Sequence, residues 1–173
     1  QDRSSAASDV YKRQVYRFSG DGSGYVAAES MRTDLESYLG LHYPAADIPS
    51  QARRLFVQNR VRAIEDVHYE PVPLLGHRTD AEDLDLSNSI LRSVSPIHLR
   101  YLDNMGVRAS LAISLIRDGE LWGMIAAHHY SPKTVAPSML SFTEMLSQML
   151  SVMADRVERS ARAEHANRCI DRM

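Results

Sequence analysis

Cysteine is nearly absent from this chain. Cys169 stands alone among 173 residues. No internal disulfide can form, no cysteine cluster is available for a metal, and the usage fits a reducing cytoplasm. An excess of charge of either sign is missing too: Lys and Arg total 20 against 22 Asp and Glu, a formal net charge of -2. That balance gives no electrostatic basis for a nucleic-acid or membrane partner. No apolar run approaches the length of a bilayer span, and no signal-peptide pattern is visible. What is present is ordinary: 44% hydrophobic and 24% charged residues, over a length that suits one domain with a proper core.

The opening stretch, QDRSSAASDVYKRQ (1–14), is polar and without a core pattern. It reads as a translated adapter or vector scar, a non-native or disordered segment set apart from the fold. The chain then enters a strand at VYRF (15–18) with no lead-in, which suggests a piece of something longer. VYRF and YVAAES (25–30) flank the glycine-rich SGDGSG and predict a β-hairpin. Pro49 suits the first turn of a helix running to about Asn59, with Asp47 near its N-cap. RVRAIEDV (60–67) predicts a short strand. Residues 71–87, broken by Pro71, Pro73 and Gly76, predict a loop. SPIHLRYLDNMG (95–106) predicts a short helix ended by Gly106, with His98, Tyr101 and Met105 on one face.

VRASLAISLI (107–116) alternates. Val107, Ala109, Leu111, Ile113 and Leu115 face one way; Arg108, Ser110, Ala112 and Ser114 face the other. ELWGMIAAHHY (120–130) follows after Asp118-Gly119, a hairpin signal. From about Ser138 one long helix follows, with Phe142, Leu146, Met149, Met153 and Val157 at three-to-four spacing. Beyond Val157 the stripe weakens. A long helix leaving a small domain suggests a connector or a dimerisation seam; a docked helix with a fraying end is the plainer reading. The class is α+β, an antiparallel sheet with flanking helices and a long C-terminal helix. The domain spans 15–155, and 156–173 continue the connector.

YPAADIPSQAR, LRSVSPIHLRYLDNMGVRASLAISLI and DGELWGMIAAHHYSPK, in that order, resemble the chromophore-binding GAF domain of bacteriophytochromes. The resemblance covers about residues 15–155. It implies a red/far-red photoreceptor domain that binds biliverdin IXα, a linear tetrapyrrole, and is not itself an enzyme. Bilin isomerisation would be signalled to an output module, most often a histidine kinase of a two-component system. Two propionates call for fixed cations, and a guanidinium meets a carboxylate with parallel donors. The family uses arginines where Arg62 and Arg92 stand, with hydroxyls at Ser95 and Ser110.

Asp47 matches the aspartate whose backbone carbonyl accepts from the pyrrole N–H groups. Ile48 and Pro49 hold that carbonyl stiffly, because proline restricts its own φ and the residue before it. His98 matches the histidine beside the pyrrole nitrogens, and imidazole titrates near neutrality. His128 matches the histidine near the D-ring carbonyl. Tyr16, Tyr43 and Tyr101 match aromatic positions around the rings. Without the resemblance, each of these residues reads as surface, cap or core. His128 and His129 are adjacent on a strand and point to opposite faces, so they cannot readily chelate one ion together. A two-residue turn at Asp118-Gly119 would put His128 and Ser110 on opposite faces. A three-residue turn, Arg117 to Gly119, with a glycine bulge would put them on one face, and that is the expectation.

The match departs in places. Ile97 stands where plant phytochromes carry the attachment cysteine, so covalent attachment there is excluded. Bacteriophytochromes use a cysteine in a preceding PAS domain, and Cys169 has no such role; the expected complex is non-covalent. Phe56 replaces a frequent tyrosine that helps hold a propionate, and Ala112 replaces a frequent serine. The expected partners are the bilin, the missing PAS and PHY domains, and a second copy joined through the C-terminal helix. The alternative is a GAF module that binds a nucleotide or another small molecule, or one that only dimerises.

Overall fold

The computed structural model describes residues 12–75 and 84–170. Six strands form one antiparallel sheet: β1 (Lys12–Phe18), β2 (Gly24–Met31), β3 (His42–Tyr43), β4 (Val61–Ile64), β5 (Ala109–Arg117) and β6 (Glu120–His129), in the order β3-β2-β1-β6-β5-β4. Helices α1 (Ser50–Gln58), α2 (Pro96–Asn104) and α3 (Pro137–Ile170) complete the α+β fold. β1 begins at Lys12, three residues before the expected boundary at 15, because Lys12 to Gln14 continue the ladders with both β2 and β6. Residues 1–11 and part of the 71–87 loop lie outside the described residues; 71–75 and 84–87 carry no helix or strand.

The ends of α2 follow the sequence closely. Pro96 occupies the first turn of α2 after Ser95. At its other end Gly106, with φ +70, donates its N–H to the Asp103 carbonyl, and Val107 donates to the Leu102 carbonyl. That paired 5→2 and 6→1 pattern is a Schellman ending, and glycine tolerates the left-handed residue that it needs. Val107 is therefore used by the cap, and β5 starts two residues later than expected. Leu102 is buried on Ile64, Val67 and Val107, with Val94, Leu99 and Met105 packed beside them. This cluster seats α2 on one face of the sheet.

α3 lies on the other face, since Arg17 of β1 and Arg117 of β5 both reach its Glu158. The side it turns to the sheet carries Thr143, Ser147 and Ser151, all buried. Of the expected apolar stripe, Phe142, Met149, Met153 and Val157 are exposed and face outward, and only Leu146 is half-buried. Ser147 donates to the Ser114 carbonyl at 2.5 Å, and the Ile116 N–H donates to Ser151 Oγ at 3.0 Å.

Candidate functional site

Strand register decides which expected site residues share a surface. Arg62 lies opposite Ala112, and Ile64 opposite Ser110. Ser110 lies opposite His128, and Ala112 opposite Ala126. Across β6, His128 pairs with Lys12 and Met124 with Tyr16. Directly opposed residues point the same way, so Arg62, Ser110, His128 and Tyr16 share the face that carries α1 and α2.

The expected three-residue turn is corrected. Arg117 pairs with Glu120, leaving a two-residue turn whose residues both have positive φ, Asp118 at 50° and Gly119 at 80°. That is the type I′ geometry favoured by the right-handed strand twist. The shared face survives because the register shifts between Leu115 and Ile116, which leaves Trp122 as an extra residue in β6. A bulge changes strand parity wherever it sits; here it lies inside the ladder rather than in the turn.

At one end of this face the tyrosines gather. The Tyr16 and Tyr43 rings are 6.0 Å apart, and Tyr16 meets Phe18 edge-on at 5.0 Å. Burial pushes the Tyr16 hydroxyl up to about 12, aided by the nearby Asp47 carboxylate, Tyr101 and Tyr43. Burial also raises Tyr43 and Tyr101, and Asp47 adds to both. Asp47 is thus within electrostatic reach of three tyrosines from three elements. It does not cap α1: the N-cap is Pro49, with no side-chain capping bond. Its N–H closes a turn onto the Pro44 carbonyl at 3.1 Å, and no described residue donates to its own carbonyl. Ile48 is half-buried behind it.

Next along the face stand the histidines. His98 stacks on Tyr101, centroids 6.4 Å apart and planes 12° apart. Its pKa is lowered by burial and then by the Arg62 charge. By accessible area, however, His98 and Tyr101 are both exposed. Both rings thus sit open to solvent on one side and beside protein on the other, as the wall of a slot does. His128 is pulled down to about 4 by burial, with His98 and Lys12 adding to the effect. Its buried Nδ1 has no hydrogen-bond partner among the described residues. His129 points away, and its Nδ1 contacts the Ser131 carbonyl and N–H at 2.8 and 3.0 Å.

The arginines border the same slot. Arg62 donates through Nη1 to the Ile90 carbonyl at 3.0 Å and through Nη2 to the Arg92 carbonyl. Burial lowers its pKa first and Arg92 second, so the two guanidinium groups are close enough to repel. Arg92 donates to the Ser89 carbonyl at 3.1 Å. Two desolvated cations side by side make a ready seat for carboxylates.

Ser95 and Phe56 are not drawn in as expected. Ser95 is exposed at the start of α2 and makes no capping bond. Phe56 contributes its carbonyl to Ser114 Oγ at 2.7 Å. Two residues near the slot escaped sequence reasoning. Arg53 ties α1 to the β1–β2 turn through the Gly22 carbonyl at 2.8 Å and lies near Tyr16. Lys12 sits 3.3 Å over the Tyr38 ring and 3.7 Å from Glu29. A cation beside an aromatic-rich run such as LESYLGLHYP was the available signal. A separate cleft of about 350 Å³, lined by Arg60, Arg117, Gln148, Ser151, Val152 and Asp155, lies on the α3 side and holds none of the expected ligands.

The GAF domain family profile matches residues 13–160. This chain is a GAF domain. The GAF domain is homologous, at about half identity, to bacteriophytochrome sequences. It is 54% identical to a bacteriophytochrome of Pseudomonas aeruginosa over 87% of this chain and 21% of that protein. It is 46% identical to one of Xanthomonas campestris over 86% of this chain and 24% of that protein. The chain therefore spans under a quarter of the length of these relatives. Among solved structures, it superposes on the chromophore-binding domain of an unusual bacteriophytochrome from R. palustris. The TM-score is 0.81 and the identity 40%, covering 87% of this chain and 51% of that one. The chromophore-binding domain of a Stigmatella aurantiaca phytochrome matches with a TM-score of 0.75 and 44% identity, over 83% of this chain and 48% of that one. Among the described residues, no helix is long and apolar enough to cross a membrane.

Proposed function

We propose that this GAF domain is the light-sensing part of a red/far-red photoreceptor and binds biliverdin IXα in the slot between the sheet, α1 and α2. The observation that carries the reading is the set of polar groups that converge there: the buried Nδ1 of His128, which has no partner among the described residues, the Asp47 carbonyl, and the neighbouring cations Arg62 and Arg92. An unpaired buried nitrogen such as that of His128 is costly unless a ligand meets it. A flat pigment with two carboxylates, central N–H groups and a terminal carbonyl matches each in kind. Arg62 and Arg92 take the propionates, with Ser110 as hydroxyl support, and binding draws in Ser95 and Phe56. The Asp47 carbonyl, stiffened by Ile48 and Pro49, accepts from the pyrrole nitrogens beside His98. Tyr16, Tyr43 and Tyr101 enclose the ring that turns, and His128 meets its carbonyl. When bound, the pigment supplies absorption and isomerisation; the protein's part is to hold three rings and leave the fourth room to rotate.

Attachment is non-covalent in this chain, because Ile97 precedes His98 and Cys169 lies far along α3. Signalling passes to α3 and from there to an output module such as a histidine kinase, with PAS and PHY domains as neighbours in the whole protein. A second copy docks on the outward apolar row of α3. Titration with biliverdin tests the reading. A red absorbance band should grow in, and Arg62→Ala should weaken binding by about tenfold through the loss of a charged hydrogen-bonding pair. Asp47→Ala and His98→Ala should diminish the band. If mixing produces no red-shifted band, the pigment reading fails. A nucleotide that instead stabilises the domain against heat would favour the other kind of GAF module.

A further inference from the structure

Ser114 bonds in three directions and is fully buried. Its hydroxyl, on the pocket face, donates to the Phe56 carbonyl at 2.7 Å. That carbonyl belongs to the last turn of α1, where helical acceptors have no partner of their own. The Ser114 N–H donates to the Arg60 carbonyl at 2.7 Å, just beyond the same helix. Its own carbonyl accepts from Ser147 of α3 at 2.5 Å, and Ser147 is as fully buried as Ser114.

The reason lies in strand length. β4 ends its pairing with β5 at Val61 opposite Ile113, so β5 runs on past it with an open edge. Ser114 O and Ile116 N–H point from that edge. Serines of α3, one turn apart, fill the place of the missing strand: Ser147 donates to the first and Ser151 accepts from the second. Ser151 in turn donates to the Ser147 carbonyl at 2.6 Å. A dry apolar contact can slide by small amounts, whereas a buried hydrogen-bonded seam holds one register or breaks.

We propose that Ser114 is a positioning residue that ties the seating of α3 to the position of α1. α1 starts at Ser50, directly after the Asp47–Pro49 loop, and is nine residues long. A ligand that shifts that loop moves α1 as a short rigid rod. The Phe56 carbonyl then draws on the Ser114 side chain, and the β5 edge that α3 reads moves with it. The link holds whatever ligand fills the pocket.

Amide hydrogen exchange by NMR on the whole chain tests this without any ligand. Ser114→Ala removes only the hydroxyl that faces α1. The amide to watch is Ile116, which is bonded on the α3 side. Its exchange should quicken by about tenfold, the scale of one lost internal hydrogen bond in local opening. Reciprocity requires that Ser147→Ala, a change on α3, quicken the Asn59 amide, which is bonded to the Leu55 carbonyl of α1. The Val26 amide, bonded to the Leu41 carbonyl at the far edge of the sheet, should not change in either variant. The proposal is overturned if Ser114→Ala alters only the end of α1 and leaves Ile116 unchanged. It is equally overturned if Val26 quickens by the same factor, since the loss is then global. Should Ser114→Ala not fold, Ser147→Ala and the Asn59 amide decide alone.

Discussion

Gly123 sits at a close approach between β6 and β1. A Cβ built there would lie 2.7 Å from the Tyr16 carbonyl oxygen, a backbone atom that cannot rotate aside. Gly123→Ala should therefore cost about 2 kcal/mol in urea unfolding, as overpacking does, and should disturb Tyr16 in the pocket. Gly20→Ala, with nothing within 4 Å, should be near neutral. His128 carries a pH signature. Its pKa falls from an ordinary 6.5 to about 4 in the fold, so between those values the unfolded chain binds more protons. Stability contributed by the neutral imidazole is full above pH 6.5 and is lost as pH falls towards 4, on the order of 3 kcal/mol by linkage. Urea midpoints at pH 7 and pH 4.5 should differ less in His128→Gln than in the parent protein. The histidine itself was legible in AAHHY. Its environment was not, because Lys12 and His98 are brought beside it by pairing and packing across the chain.

At the scale of elements, α3 inverts the usual order: hydroxyls face the sheet and methionines face water. Met149→Glu combined with Met153→Glu should leave monomer stability within about 0.5 kcal/mol, as exposed substitutions do. The same change should abolish self-association in analytical ultracentrifugation. An unchanged mass in parent and variant at equal concentration would sink the docking of a second copy there. The three-to-four spacing was plain in the sequence, but spacing marks a stripe and not what covers it. Spacing gave no sign that Ser147 and Ser151 would be buried, because the open edge of β5 that they complete exists only in the folded sheet. The β5–β6 hairpin teaches the same lesson. Asp118-Gly119 announced a turn, the two-residue geometry followed from strand twist, and the compensating bulge at Trp122 had no sequence signal that alternation could register.

For the whole molecule, the departure of α3 from the sheet is set at Glu158. Arg17 and Arg117 both donate to it, as does Trp122 Nε1 at 3.1 Å, and the Arg17 guanidinium lies 4.9 Å from the Trp122 ring. β1, β5 and β6 are thus gathered on one carboxylate. Glu158→Ala should cost roughly 1 kcal/mol, since the pairs are partly exposed to solvent. Its main effect should be faster amide exchange in α3 beyond Asp155, with α2 unaffected. If protection is lost evenly across the domain instead, Glu158 supports the fold and does not anchor the connector.

Local pattern alone settled the α+β class, every element but the two-residue strand β3, the helix end at Gly106, and the family motifs around Asp47 and His98. Each of these depends on neighbours a few residues away, where propensity, alternation and turn chemistry act directly. The tertiary structure decided which side of α3 is covered, how Ser110 and His128 come to share a face, and why His128 stays neutral. Those outcomes arise from groups distant in the chain, Ser114 with Ser147 and Glu158 with Arg17 among them, and no short window of sequence contains both partners.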